Sequence, residues 1–167
     1  MHQRKVYLDN NATTRVDEEV LRYMNNFHLI DYAVASSQFS HTPGIKAKEA
    51  VEEARKAVAK SIGAKEDEVI FTSGATESNN LALKGVAFAN LSSRRRKIVI
   101  STVEHFSVLH SAEKLKRFGF EVEYARVDKE GFVDIEHLTS LVDDKTLLVS
   151  IIFANHEVGT IQKIKPV

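Results

Sequence analysis

Phe71-Thr72-Ser73-Gly74-Ala75-Thr76-Glu77-Ser78-Asn79-Asn80 is the stretch on which the reading of this chain turns. It follows an apolar run from Val69 and reads as the end of a strand, a tight glycine turn and the start of a helix. The first backbone N–H groups of a helix have no partners inside it, and the helix dipole adds partial positive charge there, so an anion such as a phosphate fits the turn. A plainer reading has Ser73 and Thr76 capping the helix and Gly74 easing an ordinary turn. The segment alone leaves both open.

Working outward, strand and helix patterns alternate. Val69 to Thr72 is followed by a helix from about Thr76 to Asn90, and Lys97 to Ser101 by one from about Ser107 to Phe118, with Gly119 as its stop. Two such units predict a parallel sheet. Glu121 to Arg126 reads as a third strand. Asp134 caps a short helix with Ile135, Leu138 and Leu141 inward, and Thr146 to Phe153 is a buried fourth strand. Upstream, Val6-Tyr7-Leu8 reads as a short strand. Thr14 with Asp17 resembles a capping arrangement opening a helix through Tyr23 and Met24. Residues 27–43 show no period and read as a loop ended by Pro43-Gly44. From Gly44 to Ile62 the positions Ala47, Ala50, Val51, Ala54, Val58 and Ile62 keep helical spacing.

The 167 residues, 43% of them hydrophobic, suit one compact domain or part of one. Lys plus Arg and Asp plus Glu both number 23, so no net charge favours nucleic acid or an anionic membrane. The run Arg94-Arg95-Arg96-Lys97 is expected on a solvated loop. No apolar stretch approaches membrane-spanning length and no signal-peptide pattern opens the chain, so the expectation is a cytoplasmic protein. There is no cysteine, which excludes disulfides and any thiol nucleophile within this sequence.

In open parallel sheets, ligands bind beyond the carboxyl ends of the strands. Here those ends carry Ser73 to Thr76, Glu104-His105 and Ala154-Asn155-His156-Glu157. An imidazole at His105, an amide at Asn155 and a phosphate nest at Gly74 to Thr76 suit a flat, phosphorylated heteroaromatic ligand. Each has a bland alternative: His105 as a half-exposed loop histidine, Asn155 as a turn residue bonding neighbouring backbone. A metal site from Glu104, His105, His110 or Glu157 is disfavoured, because His105 and His110 fall on different helix faces and no other ligand has a diagnostic spacing.

The sequence resembles the pyridoxal-phosphate-dependent cysteine desulfurases of the class V aminotransferase fold, in the NifS-like branch. The matching words are Tyr7-Leu8-Asp9-Asn10-Asn11-Ala12-Thr13-Thr14, His41 with Gly44, Phe71 to Asn80 and Glu104-His105, followed by Gly119-Phe120-Glu121-Val122 and Asn155 with Glu157-Val158-Gly159-Thr160-Ile161-Gln162. The resemblance implies an α/β fold, part of the large domain of a pyridoxal-phosphate-dependent aminotransferase-type fold, with a mainly parallel sheet flanked by helices. Residues 1–167 then form the amino-terminal part of that domain, with 1–43 an N-terminal arm and loop. It further implies that Ala75 and Thr76 hold the phosphate of pyridoxal 5'-phosphate, that His105 stacks on the pyridine ring as the catalytic residue of this portion, and that Asn155 hydrogen-bonds the ring hydroxyl side.

Three departures accompany the likeness. His156 stands where the family usually has a second Asn, and Ala35-Ser36-Ser37-Gln38-Phe39-Ser40-His41 replaces the usual Asn-Pro-Ser-Ser-x-His loop with altered spacing. The family's acidic partner for the pyridine nitrogen, its cofactor-anchoring lysine and its persulfide-forming cysteine belong to later sequence, and none is found here. The chain alone is therefore expected to be inactive. One reading makes it the amino-terminal half of a desulfurase that turns cysteine into alanine and persulfide sulfur, completed by a second polypeptide carrying the missing Lys and Cys. A homodimer and a sulfur-acceptor or iron-sulfur scaffold partner are also expected. The other makes it a non-catalytic scaffold or interaction module; a binder of some other phosphorylated small molecule is a third, weaker reading.

Overall fold

The computed structural model describes residues 6–164, which pack as two compact units divided between Phe71 and Thr72. In the first unit, α1 (Glu18–Leu29) precedes a 3-10 turn at Ala35–Ser37 and the long helix α2 (Thr42–Ile62). Asp17 is itself the cap of α1, its side chain accepting from Glu19 N at 2.8 Å, so the expected Thr14 arrangement is replaced by a simpler one. The expected loop over residues 27–43 is shorter, because α1 runs on to Leu29 and α2 begins at Thr42. Pro43 lies within the first turn of α2, where its fixed φ suits a helix start and its missing N–H costs nothing. Gly63, at φ 68°, ends the helix.

His41 and Gly44 explain each other. His41 caps α2, its Nδ1 accepting from Gly44 N at 3.0 Å. A Cβ on Gly44 would lie 2.5 Å from the Ser37 carbonyl oxygen, so only glycine lets the preceding 3-10 turn rest against the helix.

Two expected strands are absent. Residues 6–9 are irregular and lead into a turn in which Ala12 N donates to Asp9 O. Residues 69–72 are extended but join no ladder, with Ile70 and Phe71 exposed. A strand is defined by a neighbour that accepts its N–H groups, and side-chain propensity does not supply one.

The second unit carries the sheet. Helix α3 (Ala75–Ala89) precedes β1 (Lys97–Ser101), and α4 (Phe106–Leu115) runs through a 3-10 turn at Lys116–Phe118 to Gly119, at φ 81°. Then come β2 (Glu121–Ala125), α5 (Ile135–Leu141), capped by Asp134, and β3 (Thr146–Ser150). The three strands are parallel in the order β2-β1-β3, with Ile98 beside Val122 and Leu148. The last strand stops at Ser150, short of the expected Phe153.

Strand β1 has both faces covered. Ile98 and Ile100 join Leu83, Ala87, Val108 and Leu115 under α3 and α4, whereas Val99 joins Ala125, Val133 and Leu138 on the α5 side. Half of the basic run belongs to this scaffold and not to a solvated loop. Arg96 donates to Ser93 O and Phe118 O and lies over the Phe120 ring. Lys97 bonds Leu141 O at 3.1 Å and Asp143 at 2.7 Å.

Beyond β3 the chain turns through Gly159 and bridges Ala154 to Ile161 in antiparallel fashion. Gln162 is buried there, its Oε1 accepting from Val133 N at 3.0 Å and its Nε2 donating to Gly131 O at 2.7 Å. The Glu157 to Gln162 word is thus a structural clasp on the 128–133 turn. Gln162→Ala leaves the buried Val133 N–H without a partner and is expected to destabilise the chain by about 1–3 kcal/mol, read from the urea midpoint. Gly44→Ala forces the 3-10 turn away from α2 and is expected to cost about 1–3 kcal/mol in the same measurement.

Candidate functional site

Gly74 caps α3 without a side chain and in extended backbone, φ 162°. The first helical bond runs from Ser78 N to Gly74 O at 3.1 Å. Among the described residues, the N–H groups of Ala75, Thr76 and Glu77 therefore have no partner. Ser73 does not cap the helix. Instead the Glu77 carboxylate reaches back to accept from Ser73 N and Ser73 Oγ, both at 2.7 Å, and these bonds hold its pKa below the ordinary glutamate value. A Cβ on Gly74 would meet nothing within 4 Å, and three free N–H donors at a helix start suit an anion.

His105 is the cap of α4. Its Nδ1 accepts from Ser107 N at 3.1 Å and lies 2.8 Å from Ser107 Oγ, which leaves Nε2 as the proton-bearing nitrogen of the neutral ring. Ser107 Oγ in turn lies 2.8 Å from Asn79 Nδ2, so α3 holds the cap of α4 in place. Asn79 belongs to the phosphate-nest word, yet its contact is made with a residue 28 positions away, which no local pattern could reveal. The His105 ring itself is exposed and meets the edge of His156 at 5.2 Å between centroids.

Thr76 and His105 open onto one cleft of about 510 Å³ between α3 and α4, within the range of small-ligand sites. Asn80, Lys84, His110 and Lys114 line its length, and no described lining residue is acidic. Ala75, next to Thr76 in the first turn of α3, is not among the lining residues. Asn155 is set apart from the cleft lining, at the exit of β3. Its Oδ1 accepts from Glu157 N at 2.9 Å and Val158 N at 3.0 Å, and its Nδ2 donates to Val103 O at 3.2 Å. The turn role weighed from sequence is real, and one Nδ2 hydrogen remains free for a ligand.

Glu104, which the sequence offers as an acid–base neighbour of His105 or a disfavoured metal ligand, has a structural place. It is 7% exposed, and its Oε1 accepts from both Ser101 Oγ at 2.6 Å and Ile152 N at 2.5 Å. Burial pushes its pKa above the ordinary glutamate value despite those donors. The folded chain thus binds this proton more tightly than the unfolded chain. The stabilisation is complete below the unfolded pKa and is lost as pH rises through the higher folded one. Glu104→Gln removes the titration. The variant is expected to keep pace with the parent below about pH 4 and to gain on it toward pH 7, compared by urea midpoints across pH. A pH-independent difference would mean that the carboxyl is solvated.

The class-V aminotransferase family model matches residues 6–167. A cysteine desulfurase IscS from Dictyoglomus turgidum is 48% identical over 163 residues, covering 98% of this chain and 41% of that protein. Among solved structures, a NifS-like protein superposes with a TM-score of 0.90 at 47% identity, over 96% of this chain and 43% of the other. SspA in complex with cysteine superposes at 0.85 with 34% identity, over 93% and 44%. The chain spans about two-fifths of the length of these proteins, in their amino-terminal portion. Its α/β architecture is that of the large domain of the pyridoxal-phosphate-dependent fold they share. On this ground the chain belongs to the class-V aminotransferases, and what it matches is the amino-terminal portion of NifS-like cysteine desulfurases.

Proposed function

We propose that this chain provides the phosphate-binding and ring-stacking side of a pyridoxal-phosphate site for cysteine desulfuration, and that a second polypeptide supplies the anchoring lysine and the thiol. The observation that carries this reading is that the start of α3 leaves the N–H groups of Ala75, Thr76 and Glu77 unpartnered, while Thr76 lines one cleft with an imidazole whose orientation is already fixed. Pyridoxal phosphate, when bound, supplies an electron sink for chemistry at the substrate amino acid.

The donors fit that group. The N–H groups of Ala75 and Thr76, with the Thr76 hydroxyl, would hold the phosphate, and the α3 dipole favours its charge. Lys84 and Lys114 add positive charge along the cleft. His105 presents a ring face for stacking, because its Nδ1 is committed to the α4 cap and cannot swing away. The remaining Nδ2 hydrogen of Asn155 would meet the ring hydroxyl. None of these groups is a nucleophile toward sulfur, so by this reading the chain positions the cofactor and leaves sulfur transfer to its partner. One solved relative is described in complex with cysteine, which supports cysteine as the substrate.

The alternative of a non-catalytic scaffold draws on exposed apolar groups near the open edge of β3. Phe153 is 62% exposed and Ile161 60%, so a covering chain is expected in either case. Two measurements separate the readings. Mixing this chain with the remaining segment of the Dictyoglomus turgidum relative is expected to give a coloured complex that forms alanine from cysteine; a folded complex that stays colourless and inert would sink the proposal. Thr76→Ala is expected to weaken pyridoxal-phosphate binding by roughly tenfold, the loss of one hydrogen bond to a charged group, about 1.5 kcal/mol. A scaffold would be indifferent to that change.

A further inference from the structure

The ladder between β1 and β3 ends at the pair Ile100 and Ser150. Beyond it the two strand exits carry His105 and Asn155, and nothing in regular secondary structure fixes their separation. Two bonds do so. Asn155 Nδ2 reaches Val103 O at 3.2 Å, and Ile152 N donates to Glu104 Oε1 at 2.5 Å. The carboxylate oxygen stands in for a backbone acceptor two residues past the last ladder pair. Ser101 Oγ, fully buried, donates to the same oxygen at 2.6 Å and keeps the side chain folded toward its own strand.

We propose that Glu104 is the positioning residue of this site: its Oε1 joins the exits of β1 and β3 and so sets the spacing of His105 from Asn155. This rests on the reading of those two residues as cofactor contacts. Reach is what the bridge demands of the side chain. An acceptor on an aspartate falls one methylene short of Ile152 N, while a glutamine carries an acceptor equally far from the backbone. Charge alone is disfavoured at so buried a place, and a neutral acceptor meets both donors.

The test compares Glu104→Ala, Glu104→Asp and Glu104→Gln in the full chain, with Leu138→Ala, a cavity on the α5 side of the sheet, as a control that lowers stability elsewhere in the same unit. Pyridoxal-phosphate affinity is read by absorbance titration, and the His105 ring by nitrogen-proton NMR correlations assigned with His105→Gln. Glu104→Ala and Glu104→Asp are expected to weaken the cofactor by about tenfold and to shift the His105 ring signals. Glu104→Gln and Leu138→Ala are expected to leave both within about twofold of the parent. Should Glu104→Ala prove too unstable to purify, Ser101→Ala, which removes one of the two donors, is expected to give a smaller change of the same kind. Parent-like behaviour of Glu104→Asp, failure of a folded Glu104→Gln, or an equal effect of Leu138→Ala would each overturn the proposal. A parent chain that takes up no cofactor, with ring signals that still follow the Glu104 series, would refute the cofactor reading and leave the positioning role standing. Ring signals unmoved by Glu104→Ala would refute the positioning role even where the cofactor binds.

Discussion

The second unit is organised by the double burial of one five-residue strand. Ile98, Val99, Ile100 and Ser101 of β1 have no accessible surface, and the strand is paired on both edges. Each of the three apolar side chains contributes roughly 1.5–3 kcal/mol by leaving water. Alternation sends Ile98 and Ile100 to the α3 and α4 layer and Val99 to the α5 layer, so one strand fixes both layers. Its exit at Ser101 is consequently the best-determined point from which a loop could depart. That loop carries Glu104 and His105. Precision at the candidate site begins as hydrophobic burial, and only the last few residues depend on polar contacts.

Much of this was legible in the sequence because it is periodic. The strand at 97–101 with its apolar centre Ile98-Val99-Ile100, the stop at Gly119, the Asp134 cap and the spacing of Ile135, Leu138 and Leu141 all follow from local rules, and all are present in the structure. What local rules missed is of two kinds. Residues 6–8 and 69–72 have strand-like side chains, but pairing is a property of two segments. The other kind comprises contacts between residues distant in sequence, such as Asn79 with Ser107 and Gln162 with Val133, where neither partner has a periodic signature. Arg96 and Lys97 belong with these: a charge run read as solvated is half consumed in tying loops to the sheet. Words such as His41 with Gly44 could be matched to a family before their physics was visible. That physics is a helix cap combined with a backbone approach that excludes any Cβ.

The candidate site residues commit some of their atoms to architecture and leave others free. His105 gives Nδ1 to a helix cap and keeps a ring face and Nε2. Asn155 gives its carbonyl oxygen and one hydrogen to the chain and keeps the other hydrogen. Ala75 and Thr76 keep their N–H groups only because helix geometry leaves them over. Such residues are already held in place before any ligand arrives, so ordering them adds little to the cost of binding. For His105 and Asn155 the same economy means that a substitution removing the free group also removes a structural bond.

The strand order β2-β1-β3 also has a consequence in time. In the chain, β1 at 97–101 is followed soon by β2 but waits for β3 at 146–150 to cover its other edge. At typical synthesis rates of about 5–20 residues per second, that wait lasts roughly 2–10 seconds. During it, an apolar strand with one open edge is a template for pairing with any other nascent chain. The parallel topology that buries β1 so completely in the finished unit is therefore also what delays its protection. The interval between 101 and 146 is the segment in which a chaperone would have most to gain by binding.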